Sequence, residues 1–463
     1  MPRRRIALAA VLALALAGCS GTPAPAPEPT ETAATAADAT PTDAAPVELP
    51  DTAVGDAARW VLDLLAADSG PTAEEAQARF GEEFLSQVPA DQVVQVFDQL
   101  RREGPFTVVS WDGTETQGTA ELDSPGTPVL MMLALKDDRI DGLMFVPNEK
   151  APEVDAPADA ARALAGAAER SSFLLAEVTR NAGVPECTPI EERDADTVLP
   201  IGSMFKLYVL GAVVTAVEDG RLTWDQELTI TDAVRSLPSG DLRNEPDGTK
   251  VTVEEAALKM ISNSDNTAAD LLIGAVGREA VEEELEAMGH HAPELNRPFL
   301  TTREAFQMAA DAGLRAKFAD ASEGFDDATA EASDAQRAVL EGLPEWDLGY
   351  DEQTLADPAW DEGLDWYATA RDLCAAQVAL QQRAGTEAGQ PVRGIMAAYP
   401  GIEVPGAVYI GFKGGSAPGE LGLSFYVEGP EKIRVLVLQS AGSAADAVPQ
   451  PNWLAGLAEN TLD

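Results

Sequence analysis

Residues 198–222 read VLPIGSMFKLYVLGAVVTAVEDGRL, and this stretch decides how the larger part of the chain folds. Helix-breaking residues stand before Ser203, and the apolar run that follows predicts a long helix ending near Gly220. Ser203 then lies in the first helical turn, where unpaired amides and the positive end of the helix dipole favour an anion. Lys206, three residues on, shares that helix face and can reach the Ser203 hydroxyl. Burial and a second nearby cation would lower its pKa enough for it to act as a base.

Serine and lysine at this spacing also occur by chance, as a capping serine beside a surface lysine, so further motifs have to support the assignment. The stretch ALKMISNSDNTAADLLI places Ser264-Asp265-Asn266 at the break before another apolar helix, where a serine or aspartate can also be a simple helix cap. Nearer the end, AVYIGFKGG predicts a strand that carries Lys413. Two further strand patterns, LGLSFYV and IRVLVLQS, and a final helical segment follow it.

These three motifs, in this order, resemble those of the class A β-lactamase and penicillin-binding protein superfamily over nearly all of residues 156–463. The resemblance implies an α+β catalytic domain made of an antiparallel sheet and an all-helical subdomain. It also implies catalysis through an acyl-enzyme. The implied roles are Ser203 as nucleophile, Lys206 as base, Ser264 as proton relay, Asn266, Lys413 and Ser416 as substrate-binding residues, and Asp265, Gly414 and Gly415 as structural parts of the motifs.

The resemblance gives Lys413 two tasks, which are to anchor a substrate carboxylate and to lower the pKa of Lys206. The backbone amides of Ser203 and Ser416 would form the oxyanion hole.

The sequence departs from a working class A β-lactamase at three places. Gly414 stands where the family has Thr or Ser, so one hydroxyl that would bind a β-lactam carboxylate is missing. Glu294, in HHAPELNRPFLTTREAF, is a possible deacylation base, although its loop looks short and an ordinary loop carboxylate is the alternative. The spacing between Ser264 and Lys413 leaves an insertion at about residues 316–365.

The insertion is rich in aromatic residues, namely Trp346, Tyr350, Trp360 and Trp366. These side chains either roof the active site and favour an apolar acyl group or pack the insertion onto the domain.

Other classes of site find little support in the sequence. His290 and His291, the only histidines, sit in no nucleophile or base motif, and we expect a solvated pair. No Cys/His cluster predicts a metal, and no Gly-rich loop follows a strand as a nucleotide cofactor requires. The formal charge of −46 repels phosphate backbones, which argues against nucleic-acid binding. The oligomeric state stays open.

Residues 1–18 predict a lipoprotein signal peptide, because a basic start precedes a short apolar run and a lipobox-like Leu-Ala-Gly-Cys. Cleavage before Cys19 would leave its sulfur to carry a lipid at the outer face of the cell membrane; ordinary secretion and an uncleaved span are the alternatives. Residues 19–50, rich in Pro, Ala and Thr, predict a disordered tether. An oxidising compartment would permit a disulfide between Cys187 and Cys374, with two buried free thiols equally open.

Residues 51–150 predict a small α+β domain, because amphipathic helix patterns such as AARWVLDLLAA precede four strand patterns. The last two strands, VLMMLALK and IDGLMFVP, flank a short Asp-Asp-Arg turn. This order resembles the NTF2-like or ketosteroid-isomerase-like cone, and a spacer or docking role is expected there rather than a ligand pocket.

The resulting expectation is an exported serine hydrolase that acts on an ester, amide or β-lactam, or on a peptidoglycan-type acyl substrate. A true class A β-lactamase and a D-alanyl-D-alanine peptidase are the narrower alternatives. The alternative from a different class is a non-catalytic envelope protein that retained the fold to bind a partner.

Overall fold

The computed structural model describes residues 47–322, 330–346, 348, 355 and 357–463. The chain divides into two compact units, with the boundary between Glu149 and Lys150. Cys19, Tyr350 and nearly all of the expected leader and tether lie outside the described residues. Within the described part of the chain, no helix has both the length and the apolar character that crossing a membrane requires.

Over residues 47–149, the first unit consists of four helices followed by a four-stranded antiparallel sheet. The helices are α1 (Ala53–Ala66), α2 (Ala73–Arg79), α3 (Glu82–Gln87) and α4 (Ala90–Leu100), and the strands are β1 (Thr107–Gly113), β2 (Gln117–Asp123), β3 (Val129–Lys136) and β4 (Arg139–Pro147). Consecutive strands are neighbours in the sheet. Asp137 and Asp138 form the β3–β4 turn with φ of 51° and 59°, the left-handed conformations that a two-residue hairpin turn favours. The predicted hairpin is therefore present.

The helices and one face of this sheet enclose an aromatic core. Phe80, Phe84 and Phe97 are each at most 2% exposed, and Trp60 lies edge-on to Phe80 with ring centroids 6.1 Å apart. Burial alternates along β2 and β3, as expected for strands with one face in the core. The first unit thus has a core of its own.

The second unit is built on an antiparallel sheet. Over residues 150–463, as far as they are described, its strands are β5 (Arg170–Asn181), β6 (Val184–Arg193), β11 (Tyr409–Ala417), β12 (Glu420–Glu428) and β13 (Ile433–Ala441), in the order β11-β12-β13-β5-β6. Two short pairs join β7 (Leu199–Pro200) to β10 (Tyr367–Ala368) and β8 (Glu227–Thr229) to β9 (Lys250–Thr252). The three runs predicted as strands are β11, β12 and β13, and β5 contains the further apolar run SFLLAEVT, whereas no pattern in the sequence predicts β6.

Helices cover both faces of this sheet. One face packs against α5 (Pro157–Ala167) and α15 (Pro451–Leu462), and the other packs against α13 (Ala370–Arg383), behind which lies α6 (Lys206–Glu218). The remaining helices form the expected helical subdomain: α7 (Val253–Ser262), α8 (Asn266–Val276), α9 (Arg278–Ala287), α10 (Thr302–Ala310), α11 (Ala312–Ala321), α12 (Ala330–Glu341) and α14 (Val392–Ala397). Helix α6 is buried on all sides from Lys206 to Val214, as befits a central helix.

A covalent bond links the edge of the sheet to the helical layer. Cys187 on β6 and Cys374 on α13 form a disulfide, so the structure resolves the choice between a bonded pair and free thiols. Arg371 of α13 reinforces the junction with ion pairs to Glu192 and Asp196 at 2.6 and 2.7 Å.

In its described part, the expected insertion contributes the end of α11, helix α12 and a return over residues 357–365. Arg337 of α12 pairs with Glu279 and Glu282 of α9 at 2.8 and 3.2 Å. Arg315 of α11 pairs with Glu362 in the return at 2.7 Å. These contacts fix the insertion against α9 and α11.

Candidate active site

Ser203 lies in a 3-10 turn, Gly202–Phe205, that runs directly into α6. The sequence predicts an α-helical first turn, and the tighter turn replaces it. Gly202 has φ of 45°, which favours glycine. A Cβ on Gly202 would also lie 2.7 Å from Glu420 Oε1 and 3.0 Å from the backbone nitrogen of Ser416. The turn is therefore pressed against the start of β12 and the end of β11.

Lys206 is fully buried at the start of α6. Its Nζ lies 3.1 Å from both Ser203 Oγ and Ser264 Oγ, 2.6 Å from the Ser264 carbonyl oxygen and 2.5 Å from Asn266 Oδ1. The Ser264 carbonyl oxygen and Asn266 Oδ1 can only accept hydrogen bonds, so each takes one N–H group of the lysine. The third position on the nitrogen is left to face the two serine hydroxyls. Burial, and secondarily the charge of Lys413, lowers the pKa of Lys206 well below its usual value. This environment favours a neutral amine whose lone pair faces a hydroxyl.

Ser264 and Asn266 hold that lysine from the opposite side. Ser264 has φ of 57°, a left-handed conformation that lets both its carbonyl and its hydroxyl face Lys206. Asn266 donates through Nδ2 to the Leu237 carbonyl at 2.6 Å, which directs Oδ1 towards the lysine. The structure thus brings Ser264 and Asn266 together with Lys206.

Asp265, the middle residue of the motif, is buried and acts through the backbone. Its Oδ1 accepts from the Ala268 amide at 2.8 Å and caps α8, while its Oδ2 accepts from the Leu242 amide at 2.9 Å. Gly240, with φ of 95°, lies so close that a Cβ there would be 2.5 Å from Asp265 Cα. Asp265 therefore caps α8 and holds the loop at Leu242 against the start of that helix.

Lys413 on β11 is 3% exposed. Its Nζ donates to Ser264 Oγ at 3.0 Å and to the Gly414 carbonyl at 2.7 Å, and burial lowers the pKa of Lys413 to about 7. A Cβ on Gly414 would lie 3.0 Å from Phe412 Cζ and 3.2 Å from Leu423 Cδ2. Apolar side chains therefore crowd the place where the family carries a hydroxyl.

Beyond Lys413, strand β11 passes very close to the nucleophile turn. A Cβ on Gly415 would lie 2.9 Å from the Ser203 nitrogen and 3.0 Å from the Met204 nitrogen, so only glycine fits there. Ser416 follows with an exposed side chain. The amides of Ser203 and Ser416 meet at this junction, where an oxyanion hole would have to be.

The motif residues Ser203, Ser264 and Lys413 open into a cavity of about 480 Å³. Much of its wall is apolar, including Phe306 on α10, Trp360 and Leu364 in the return of the insertion, and Phe412 and Leu423 on the sheet.

The aromatic residues of the insertion both pack and line the cavity. The Trp360 indole donates to the Gly442 carbonyl at 3.2 Å, and Trp366 stacks on Phe205 with ring centroids 3.8 Å apart. Both also line the cavity, whereas Trp346 is not among its described lining residues. Tyr350 lies outside the described residues.

Two buried carboxyls beside the nucleophile turn are absent from the sequence prediction. Asp365 Oδ1 accepts from the amides of Ile201 and Gly202 at 3.2 and 3.0 Å. Burial raises the pKa of Asp365 to about 6. Burial and the neighbouring Asp365 raise the pKa of Glu420 well above its usual range. Glu420 is thus favoured as a neutral acid beside the Asp365 carboxyl, and no local sequence signal links these two distant residues.

The structure does not bring Glu294 to the cavity. The short turn Pro293–Asn296 is fixed to β10, because Asn296 donates to the Tyr367 carbonyl at 2.9 Å and accepts from the Tyr367 amide at 2.8 Å. Glu294 is half-buried and is not among the described residues that line the cavity. This geometry does not support Glu294 as the base that activates water.

The expectation of a solvated histidine pair is wrong for His290, which is 4% exposed. Its Nε2 lies 2.7 Å from the Tyr367 carbonyl oxygen, and its Nδ1 accepts from the Ala292 amide at 3.1 Å. His291 Nδ1 lies 2.8 Å from Asp372 Oδ2, so the three side chains come close enough to surround an ion. Both ring nitrogens of His290, Nδ1 of His291 and both carboxylate oxygens of Asp372 are engaged in hydrogen bonds that tie this loop to β10 and α13, which argues for a structural cluster.

Comparison with protein-family models gives a match in each unit. Residues 191–339 match the model described as the beta-lactamase enzyme family, and residues 49–139 match the model described as the ORF 12 gene product N-terminal. The first match contains Ser203, Lys206 and Ser264. A comparison with curated proteins finds no significant match.

Similar solved structures include a β-lactamase from Sphaerobacter thermophilus DSM 20745, which is 18% identical in sequence and has a TM-score of 0.44. The alignment covers 66% of this chain and 94% of that one. The structure of PBP-A is 15% identical with a TM-score of 0.43 and coverage of 68% and 97%. A β-lactamase from Burkholderia phymatum is 15% identical with a TM-score of 0.44 and coverage of 66% and 95%.

Proposed function

Because this chain belongs to the β-lactamase superfamily, we propose that it is a serine hydrolase that cleaves ester, amide or β-lactam bonds through an acyl-enzyme. The observation that carries the proposal is the 3.1 Å contact between the buried Lys206 Nζ and Ser203 Oγ. Nucleophilic catalysis needs a base within hydrogen-bond reach of the nucleophile and a third group that orients the base. Asn266 supplies that third group.

In the acylation step, Ser203 Oγ attacks the carbonyl carbon of the substrate while the neutral Lys206 takes the hydroxyl proton. Negative charge develops on the carbonyl oxygen, and the amides of Ser203 and Ser416 are the donors proposed to stabilise it. The low pKa of Lys206, caused first by burial and then by Lys413, provides a free amine for this step.

Ser264 is the group proposed to protonate the leaving atom. Its hydroxyl lies 3.1 Å from Lys206 Nζ and 3.0 Å from Lys413 Nζ, so a proton taken up by Lys206 can pass through Ser264 to the leaving group. Water then attacks the acyl carbonyl, the bond to Ser203 Oγ breaks and the serine recovers its proton.

Intact-mass analysis after incubation with a fluorophosphonate tests the proposal. We expect one covalent label per molecule in the wild type, peptide mapping of that label to Ser203, and no label in Ser203→Ala. No label on either protein would favour the alternative of a non-catalytic binding protein. A parallel incubation with penicillin separates the narrower alternatives, since a transient adduct indicates a β-lactamase and a lasting one a penicillin-binding role.

We also propose that the protein is exported and held at the membrane by a lipid on Cys19. The leader sequence supports this, and so does the Cys187–Cys374 disulfide, because such bonds persist in oxidising compartments. Cys19→Ala should move the protein from the membrane fraction to the soluble fraction. Unchanged membrane retention would contradict the assignment.

For residues 51–150 we propose an NTF2-like cone that serves as a spacer or docking module in front of a hydrolase domain over residues 156–463. The order of helices before an antiparallel sheet supports this reading. A spacer role predicts that substitutions in this unit leave the rate of ester hydrolysis unchanged. A lower rate in the substituted protein than in the wild type would instead indicate that this unit takes part in catalysis.

A further inference from the structure

We propose that the cavity selects neutral esters of apolar carboxylic acids and discriminates against substrates that carry a carboxylate. This inference rests on the proposed function, because it names the substrate class of the same site. Three observations support it: the cavity wall is largely apolar, basic side chains are scarce around the nucleophile, and Gly414 has no hydroxyl to bind a carboxylate.

The wall offers apolar surface on several sides of the nucleophile. Phe306 and Trp360 are half-buried and Leu364 is buried, and they belong to α10 and the insertion, whereas Phe412 and Leu423 come from the sheet. A volume of about 480 Å³ is in the range of cavities that enclose a small ligand. Burying a hydrocarbon chain against this wall is favourable in proportion to the apolar area removed from water.

Positive charge, by contrast, is scarce around the nucleophile. Among the described residues that line the cavity, Lys413 is the one with a basic side chain, whereas Asp357, Asp365 and Glu420 are acidic.

Lys413 itself has little capacity left for a carboxylate. Two of its hydrogens are directed to Ser264 Oγ and the Gly414 carbonyl, and its pKa of about 7 leaves the charge incomplete at neutral pH. A substrate carboxylate would lose its hydration here for one weak partner, which is unfavourable.

The residue after Lys413 removes the second means of binding a carboxylate. Gly414 carries no hydroxyl, and a side chain there would meet Phe412 and Leu423 at 3.0 and 3.2 Å. The hydroxyl that would bind a substrate carboxylate is therefore absent, and apolar side chains occupy the space beside it. That surface suits the hydrocarbon part of an ester.

In the reaction that this implies, Ser203 Oγ forms a bond to the acyl carbon and the bond from that carbon to the alkoxy or aryloxy oxygen breaks. The serine proton reaches the departing oxygen through Lys206 and Ser264, which releases an alcohol. Water then cleaves the acyl-serine, giving the free acid and restoring Ser203. No oxidant, reductant or second substrate is needed.

Two matched pairs of esters test the selectivity. The first pair is 4-nitrophenyl octanoate and mono-4-nitrophenyl octanedioate, which differ by a carboxylate on the acyl side. The second pair is the octanoyl ester of methyl 4-hydroxybenzoate and that of 4-hydroxybenzoate, which differ on the leaving side. Each value of kcat/KM is divided by the rate constant for alkaline hydrolysis of the same ester. We expect the normalised value to be at least about tenfold higher for the neutral member of each pair. We also expect 4-nitrophenyl octanoate to be preferred over 4-nitrophenyl acetate by a similar factor.

A pair of variants tests whether the wall produces the chain-length preference. Phe306→Ala should lower the octanoate-to-acetate ratio of kcat/KM by about three- to tenfold, because the ring is part of the apolar wall. Phe106→Ala removes a half-buried ring of the same size from the first unit and should leave the ratio unchanged.

The outcomes separate this inference from the proposed function. Ser203-dependent hydrolysis with equal or higher rates for the anionic esters, or labelling of Ser203 by fluorophosphonate without hydrolysis of any ester, overturns the substrate class and leaves the nucleophile assigned. The absence of both hydrolysis and labelling overturns the proposed function as well.

Discussion

Lys206 and Lys413 lie buried on either side of one hydroxyl, that of Ser264, at 3.1 and 3.0 Å. Two ammonium groups this close to a shared partner destabilise each other, and burial disfavours the charge on both. At the residue scale, the site therefore contains one lysine with a strongly lowered pKa and another whose pKa is about 7. This asymmetry is what allows Lys206 to act as a base.

Lys413→Met should shift the rising limb of the pH profile for fluorophosphonate labelling to higher pH. Loss of the neighbouring cation raises the pKa of Lys206, although burial, the larger cause of the lowered pKa, remains. The effect should be largest below about pH 7, where Lys413 is charged. Labelling rates between pH 5 and pH 10 measure it, with Lys413→Arg as the control that keeps a cation. Coincident profiles for wild type and Lys413→Met would contradict the coupling.

The carboxyl of Glu420 supports a prediction about stability. Burial and Asp365 raise its pKa, so the folded protein holds a proton that the unfolded chain releases, and the stability contributed by this group is lost as the pH rises. Glu420→Gln removes the ionisation. The free energy of unfolding of the variant minus that of the wild type should therefore increase by about 1–3 kcal/mol when the pH is raised from 5 to 8. Urea unfolding at both pH values measures the difference. A difference that is independent of pH would show that Glu420 is ionised in the folded protein.

At the scale of elements, the loop that carries Gly240 fixes the start of α8 through its close approach to Asp265. Gly240→Ala should lower the free energy of unfolding by about 3 kcal/mol or more, because it combines a backbone strain with a clash. It should also slow labelling of Ser203, since Ser264 and Asn266 flank Asp265.

Gly248→Ala is the matched control for that substitution. Its φ of 87° is close to the 95° of Gly240, but a Cβ there meets nothing within 4 Å. We expect a loss of about 1–2 kcal/mol from strain alone and an unchanged labelling rate. Equal losses for the two variants would show that the contact with Asp265 is unimportant.

Comparison of the elements with the sequence shows which signals were sufficient. The apolar runs of β5, β12 and β13 and the breaks before α6 and α8 were readable, because local periodicity and helix-start residues carry that information. Strand β6 was not, since VPECTPIEER contains two prolines and three acids, a composition that an edge strand tolerates but that no strand pattern predicts.

Contacts between distant residues account for most of what the sequence could not predict in the site. Asp365 and Glu420 meet Gly202 only in the folded chain, and a single acidic residue between apolar neighbours carries no local signal that it will lie beside the nucleophile. Glu294 stands in a suggestive stretch of sequence, but Asn296 fixes that loop to β10 and away from the cavity. The motif spacing predicted which residues assemble around Ser203, whereas their supporting contacts required the structure.

At the scale of the whole molecule, the net charge of −46 creates a long-range field that repels anions. This long-range effect acts in the same sense as the shortage of cations in the cavity, so both oppose a substrate carboxylate. Salt can separate them, because the Debye length falls from about 10 Å at 0.1 M to about 3 Å at 1 M, whereas the contacts inside the cavity are screened much less.

Raising the salt from 0.02 M to 0.5 M should therefore increase kcat/KM for mono-4-nitrophenyl octanedioate by about three- to tenfold. The value for 4-nitrophenyl octanoate should change by less than about twofold, which makes the neutral ester the internal control. We expect a residual preference for the neutral ester at high salt, and that remainder belongs to Lys413, Gly414 and the apolar wall. If the two esters become equal at high salt, the selectivity comes from the overall charge and the cavity has no part in it. If salt changes neither rate, all of the discrimination arises inside the cavity.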